Sequence, residues 1–404
     1  MKLALALAAA LAACTTHAAE SSQPVVLGID QLLNEQIELI QGKRVGLITN
    51  PSGVDGALFP SADRLMSDQR FQLVQLYGPE HGIRGDVAAG DTVVDSMDAL
   101  TGVPVESLYG ARKRPSPETL AKLDVLLFDI QDIGSRTYTY VSTLGEAMRA
   151  AAEAHKPLIV LDRPNPIGGV VFEGAVIEEQ FRSFIGWGPV PVTHGMTCGE
   201  IARFYKNELG IDCDLTVVRM HGWKREMAWE DTGLEWTPTS PHIPHELQAH
   251  LYVSAGMTAA ATMNVSDGVG STMPFEVIGA EFIDAYDFAA ELDKLALPGV
   301  RFQPLAYKPF YGKFKDKPMR GVRMVLDDPR KFLPLHTALA FLVTLRRMYP
   351  TALQFADETT VAKHWGNVRV REMLAAGKSI DEIESSWSTE RELFKVARAR
   401  CLLY

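Results

Sequence analysis

This chain is poor in cysteine, with four in 404 residues and no CxxC pair. No Cys/His set has zinc spacing, and no His is spaced with another His or an acid in a zinc-hydrolase pattern, so no resident metal is expected. No GxGxxG follows the first strand-like run, which leaves a dinucleotide cofactor unsupported, and there is neither a Walker lysine nor a GxSxG elbow. The stretch Asp267-Gly268-Val269-Gly270-Ser271-Thr272 has the glycines of a phosphate loop but not its lysine. Cations are in the minority, 40 Lys and Arg against 50 Asp and Glu, for a formal net charge of −10 at pH 7. That balance argues against nucleic acid as a partner, because phosphate backbones demand clustered Lys and Arg. Past the N-terminus no apolar run approaches the roughly 20 residues that cross a bilayer. The composition, 47% hydrophobic and 22% charged, is that of a globular chain long enough for two or more domains.

The N-terminus reads as an export signal over residues 1–18. Lys2 is a minimal positive region, and Leu3 to Ala13 is an unbroken run of Leu and Ala. Leu11-Ala12-Ala13-Cys14 has the form of a lipobox, in which Cys14 is lipidated after cleavage; the rival is simple secretion with cleavage near Ala18. Either reading expects an exported, periplasmic chain; under the first, its one link to a membrane is a lipid on Cys14. An oxidising compartment permits a bridge between Cys198 and Cys213, but a helix between them holds them apart, so free thiols are expected.

Four runs are apolar on both faces and rich in Val, Leu and Ile, as buried parallel strands are: 44–49, 71–76, 123–128 and 157–161, with a further strand at 215–220. Helical spacing runs from about Thr143 to His155 and from about Cys198 to Leu209. The alternation predicts an α/β fold: a Rossmann-like parallel-sheet domain over 24–235, followed by a smaller α+β auxiliary domain over 236–404. The Trp- and Pro-rich stretch from Trp223 to Glu246 is the transition between them, or a lid over the first. In the second domain, a strand is predicted near 322–326 and a buried helix over 335–347. Capping boxes are predicted at Ser379–Glu382 and Thr389–Glu392, with Gly377 as a helix stop.

In open parallel sheets ligands sit beyond the carboxyl ends of the strands. Here those ends carry Asn50, then Glu80 and His81, then Asp129, Gln131 and Asp132, then Asp162, Arg163 and Asn165. The second of these turns, Tyr77-Gly78-Pro79-Glu80-His81-Gly82-Ile83-Arg84-Gly85-Asp86, packs acid, imidazole and guanidinium into a glycine-rich path. Taken alone it is also an ordinary surface turn. Several acids at one crevice suit glycoside hydrolysis, which pairs a protonated carboxyl that donates to the leaving oxygen with an ionised one. Tyr138, Tyr140 and Trp187 offer flat faces to a sugar, although each taken singly is more often core. His194 precedes a helix, and it serves either packing there or a hydrogen bond to a polar ligand.

These segments resemble the NamZ-like exo-β-N-acetylmuramidases of peptidoglycan turnover, long grouped as a domain of unknown function. The likeness rests on Gly46 to Gly53, Tyr77 to Asp86, Thr101 to Pro104, Asp129 to Arg136 and Leu161 to Gly169. It continues through His194 to Thr197, Gly199-Glu200, Gly222-Trp223, Ser240-Pro241, Asn264 to Ser266 and Pro274 to Glu276. The resemblance implies cofactor-free release of N-acetylmuramic acid, or a related amino sugar, from the non-reducing end of cell-wall fragments. It also puts the proposed catalytic acid on Glu80. The family pattern has a Glu and an Arg where this chain has Ala261 and Val269, and an Asn where it has His242.

The expected site therefore has Glu80, Asp129 and Asp132 as catalytic carboxylates. Asn50, His81, Arg84, Gln131, Arg136, Tyr138, Asp162, Arg163, Asn165, His194, Asn264 and Glu276 are expected to bind substrate. Two rivals stand beside this reading. One is a lipid-anchored muropeptide-binding protein with reduced or lost catalysis, motivated by Ala261 and Val269. The other is a metal-dependent hydrolase built on Asp129, Asp132 and His194.

Overall fold

A computed structural model describes residues 24–85 and 95–404. Cys14, its lipobox and Asp86 lie outside the described residues. Seven strands form the main sheet: β1 (Arg44–Thr49), β2 (Gln72–Gly78), β3 (Ser96–Met97), β4 (Pro104–Ser107), β5 (Val125–Asp129), β6 (Leu158–Leu161) and β7 (Leu215–Val218). Their spatial order is β3-β4-β2-β1-β5-β6-β7. Every neighbouring pair is parallel except β3–β4. Strand order thus reverses between β1 and β5, the switch point of a doubly wound sheet, where a crevice opens at the carboxyl edge.

Alternation along the strands decides which face each side chain covers. Val45 and Leu47 of β1 pack with Val125 and Leu127 of β5 in one core cluster. Ile48, Leu126 and Phe128 point the other way, into the cluster filled by the Tyr140–Glu153 and Cys198–Glu208 helices. The first of these helices starts three residues earlier than its apolar spacing indicates. Tyr140 occupies its first turn and donates its hydroxyl to the Thr239 carbonyl (2.6 Å), so a polar anchor extends it. The second helix begins with a capping box, Thr197 with Glu200.

The smaller sheet is antiparallel, in the order β8-β10-β9, from β8 (Val277–Ala280), β9 (Val300–Tyr307) and β10 (Met319–Leu326). The buried Pro334–Met348 helix packs against the Glu246–Ala260 helix. Ser379–Glu382 forms its capping box, and Gly377 takes a left-handed turn at φ 71°. The box expected at Thr389–Glu392 does not form. The Ser388–Ala399 helix starts one residue earlier, behind the buried Trp387, and holds Thr389 inside its first turn.

The end of the chain folds back onto the first sheet's helices: Phe394 meets Phe204 at 5.4 Å between ring centroids. The Leu403 N–H donates to Glu200 (2.7 Å), and the Tyr404 hydroxyl donates to Asp162 (2.8 Å). Cys198, Cys213 and Cys401 are free and buried. No helix among the described residues is long and apolar enough to cross a membrane.

Glu173 ties the two halves together. Its carboxylate accepts the N–H groups of Leu335 and His336 (both 3.1 Å) at the start of the Pro334–Met348 helix, where orphan donors and the helix dipole favour an anion. Burial nevertheless pushes its pKa from 4.5 up to about 7. The folded protein therefore binds this proton more tightly than the unfolded chain does. The resulting stabilisation is full below about pH 4.5 and fades as pH rises through about 7. Melting curves of a Glu173→Gln variant are expected to lose this slope, worth on the order of 1–3 kcal/mol over that window. A slope unchanged from wild type refutes the assignment.

Candidate active site

The turn after β2 carries Glu80 on an unusual backbone path. His81 and Gly82 are both left-handed (φ 72° and 73°), a conformation that costs a non-glycine residue energy and is kept where the surroundings enforce it. Arg84 does the enforcing. It grips Asp63 (2.7 and 3.1 Å) and Asp98 (2.6 and 2.9 Å), clamping the turn to the Ser61–Met66 helix and to the Asp98 turn before β4. The Arg84 guanidinium holds the Asp98 carboxyl down at about 2. Gly85 (φ 76°) closes against Pro51, where an added Cβ would stand 2.6 Å from the ring.

Glu80 is half-buried and accepts a hydroxyl. Thr139, just before the Tyr140–Glu153 helix, donates at 3.1 Å, and Tyr109, from the loop after β4, has its phenol in the field of the same carboxylate. Burial first, and then Glu80, push the Tyr109 phenol up to about 12. A second phenol, Tyr252 of the Glu246–Ala260 helix, lies in the field of three acids, Glu80, Asp267 and Asp132, and burial chiefly pushes it up to about 12 as well. Its ring is edge-on to Tyr138 (5.6 Å) and Phe275 (4.9 Å). His242 adjoins His81 electrostatically and donates to or accepts from the Tyr311 hydroxyl at 2.7 Å. Both domains therefore supply walls around Glu80.

Asp132 and His194 form a buried pair behind this cluster. The Gly134 N–H occupies one Asp132 oxygen (2.7 Å), and the Met196 N–H donates to His194 Nδ1 (3.2 Å), which leaves the ring proton on Nε2. Nε2 stands 3.6 Å from Asp132, beyond hydrogen-bond range. It and Asp132 Oδ1 make no hydrogen bond among the described residues, and buried polar atoms in that state are commonly those a ligand or water engages.

Other expected site residues are committed elsewhere. Asp129, expected to be catalytic, has both oxygens taken by Arg163 (2.6 and 2.9 Å) and accepts Ser61 as well, in a fully buried position. Arg163 is thereby consumed. Arg136 is wholly buried and donates to the carbonyls of Ala175, Val190 and His364, with no carboxylate opposite; burial lowers its pKa to about 9. Asp162 accepts Thr197, Gly199 and Tyr404 at the Cys198–Glu208 helix start, and burial lifts it to about 6. Asn50 and Asn165 brace turns through Ser52 and Ile167, while Gln131 donates to the carbonyls of Asp132 and Pro164. In the smaller domain, Asn264 bonds Ala352 and Gln354, and Glu276 bonds Gln248 and Arg323. Each was expected to touch substrate, and most of their polar atoms are instead spent within the protein, while Gln131 Oε1 and Arg136 Nε make no hydrogen bond among the described residues.

Thr139, Tyr109, Tyr252 and Asp267 are the groups that reading the sequence missed. Tyr109 follows a four-residue strand that opens on a proline and contains a charged Glu106, so no hydrophobic run announces it. Among the described residues no cluster of His, Cys, Asp and Glu is arranged to hold a metal ion.

Comparison with known proteins places this geometry. The family models described as "Exo-beta-N-acetylmuramidase NamZ, N-terminal" and "C-terminal" match residues 45–247 and 250–404. The peptidoglycan β-N-acetylmuramidase NamZ of Bacillus subtilis (strain 168) is 42% identical over 380 residues, covering 94% of this chain and 91% of its own. A crystal structure of a DUF1343 family protein from Bacteroides fragilis NCTC 9343 superposes with a TM-score of 0.88 at 39% identity, covering 94% of this chain and 99% of that one. A second DUF1343 protein of the same organism gives 0.74 at 27% identity, with the same coverage.

Proposed function

The chain belongs to the NamZ exo-β-N-acetylmuramidase family, and from that premise we propose that it is a glycoside hydrolase releasing N-acetylmuramic acid from the non-reducing end of peptidoglycan fragments. One observation carries the site assignment. Glu80 is the half-buried carboxyl at the sheet's switch edge, with the Thr139 hydroxyl donating to it and no cation bonded to it among the described residues. A carboxyl so placed gives its proton to the glycosidic oxygen as the bond to the sugar breaks. Asp132, with His194 behind it, orients the acetamido group or the attacking water, and Tyr138 and Tyr252 flank the ring. Asp129, Arg163 and Arg136 hold the edge rigid and do not touch the sugar.

Ala261 does not argue for lost catalysis. It is fully buried in the smaller domain's core with Met257 and Leu339, and its carbonyl accepts the Ala356 N–H (3.0 Å). The test is digestion of an aryl β-N-acetylmuraminide and of a defined muropeptide chain. Free monosaccharide released stepwise from the non-reducing end supports the reading. Internal cleavage, or binding of both substrates without release, rejects it.

The same proposal puts the enzyme outside the cytoplasm, tethered by a lipid on Cys14. The support is the Leu/Ala run and the Leu-Ala-Ala-Cys sequence. Labelled palmitate fed to expressing cells is expected to enter the wild-type chain and not Cys14→Ser; equal labelling of both defeats the idea.

A further inference from the structure

Muramic acid differs from glucosamine by a lactyl ether ending in a carboxylate, so an enzyme that selects it needs a cation at the sugar's rim. Most cations near Glu80 are already engaged: Arg84 by Asp63 and Asp98, Arg163 by Asp129, and Arg136 by backbone carbonyls. Three consecutive cations follow β4, and they behave differently. Arg112 pairs with Asp95 (3.1 Å) and Glu106 (3.3 Å), and Arg114 pairs with Glu153 (2.8 Å). Between them Lys113 turns inward. Its ammonium sits 4.3 Å from the centroid of the Tyr109 ring and 4.4 Å from that of Phe184, and no carboxylate pairs with it among the described residues.

Tyr109 links this ammonium to the chemistry, since its face carries Lys113 and its phenol lies in the field of Glu80. Lys113 and Glu80 thus stand about one phenol, close enough for each to feel the other. Burial is the main influence on Lys113 and lowers its pKa, with Glu80 opposing it. Two aromatic faces fix the lysine's direction and shed part of its water, which strengthens its attraction for an incoming anion. Lys313, on the Asp267 side, is exposed and lies over a single ring, Phe314, at 5.1 Å.

Resting on the muramidase reading of the site, we propose that Lys113 is the specificity-determining residue that binds the lactyl carboxylate of the substrate. In that arrangement the acetal oxygen faces Glu80 while the lactyl arm crosses Tyr109 to the ammonium. The substrate anion then supplies the counter-charge that Lys113 lacks among the described residues.

Calorimetry with free N-acetylmuramic acid and N-acetylglucosamine tests this without turnover. Wild type is expected to prefer the muramic acid by about tenfold or more, the size of one charge-assisted contact. Lys113→Met is expected to lose that preference by weakening muramic acid binding alone, and Lys113→Arg to keep most of it. The proposal is overturned if wild type shows no preference, if Lys113→Met keeps it, or if both sugars weaken equally. Hydrolysis of the aryl muraminide is measured in parallel. Intact sugar preference without hydrolysis would reject the muramidase reading and leave Lys113's role standing. Hydrolysis with a Lys113-independent preference would do the reverse.

Discussion

Glu80→Gln is expected to lower kcat on an aryl β-N-acetylmuraminide by about a thousandfold, within the 10²–10⁴ range of a positioned general acid. The substitution keeps the size of the side chain and an oxygen that still accepts Thr139, so the turn between Arg84's two carboxylates stays in place. The acidic proton and the carboxylate charge are what it removes. KM is expected to change little, because a group acting on the leaving oxygen contributes mainly in the transition state. An activated leaving group adds a second check. A dinitrophenolate departs with little protonation, so the defect should shrink severalfold on that substrate. Retention of more than a tenth of wild-type kcat on the unactivated substrate removes Glu80 from the role. The acids sharing its neighbourhood, Asp132 and Asp267, then become the candidates.

Periodicity made the sheet legible. The runs at 44–49 and 123–128 are apolar on both faces, as strands packed between two helix layers must be, and they form β1 and β5 within two residues. β3 and β4 left no such signal, because two- and four-residue strands at an edge hide too little surface to need an apolar run. The site was legible to the same extent. Strand ends pointed to Glu80 and His81, which lie in the turn after β2, but the same rule also gathered Asp129, Asp162 and Arg163, which are buried and bonded inside the protein. Chemical type cannot say whether a carboxylate meets solvent or an internal guanidinium; only the fold decides that. Thr139, whose hydroxyl reaches Glu80, and Tyr109, whose phenol lies in its field, are ordinary residues in sequence and come beside it through the fold alone.

The Asp129–Arg163 pair separates scaffold from chemistry. Both side chains are nearly inaccessible, at 0% and 3%, and their two hydrogen bonds are joined by one from Arg163 to the Val54 carbonyl (2.6 Å). Asp129→Asn leaves that guanidinium buried without its counter-charge, and such a break typically costs about 3–5 kcal/mol. A large drop in denaturant midpoint is therefore expected, with the slope unchanged. Arg163→Met should cost a similar amount by stranding the carboxylate. The double variant Asp129→Leu with Arg163→Met should cost clearly less than the sum, since it strands neither charge. Activity per folded molecule, measured well below the variants' melting range, is expected to stay within about tenfold of wild type, because neither group faces the sugar. A catalytic Asp129 predicts the opposite pattern: near-normal stability with kcat reduced as far as in Glu80→Gln. That result would return Asp129 to the chemistry and require the crevice to extend past the ion pair.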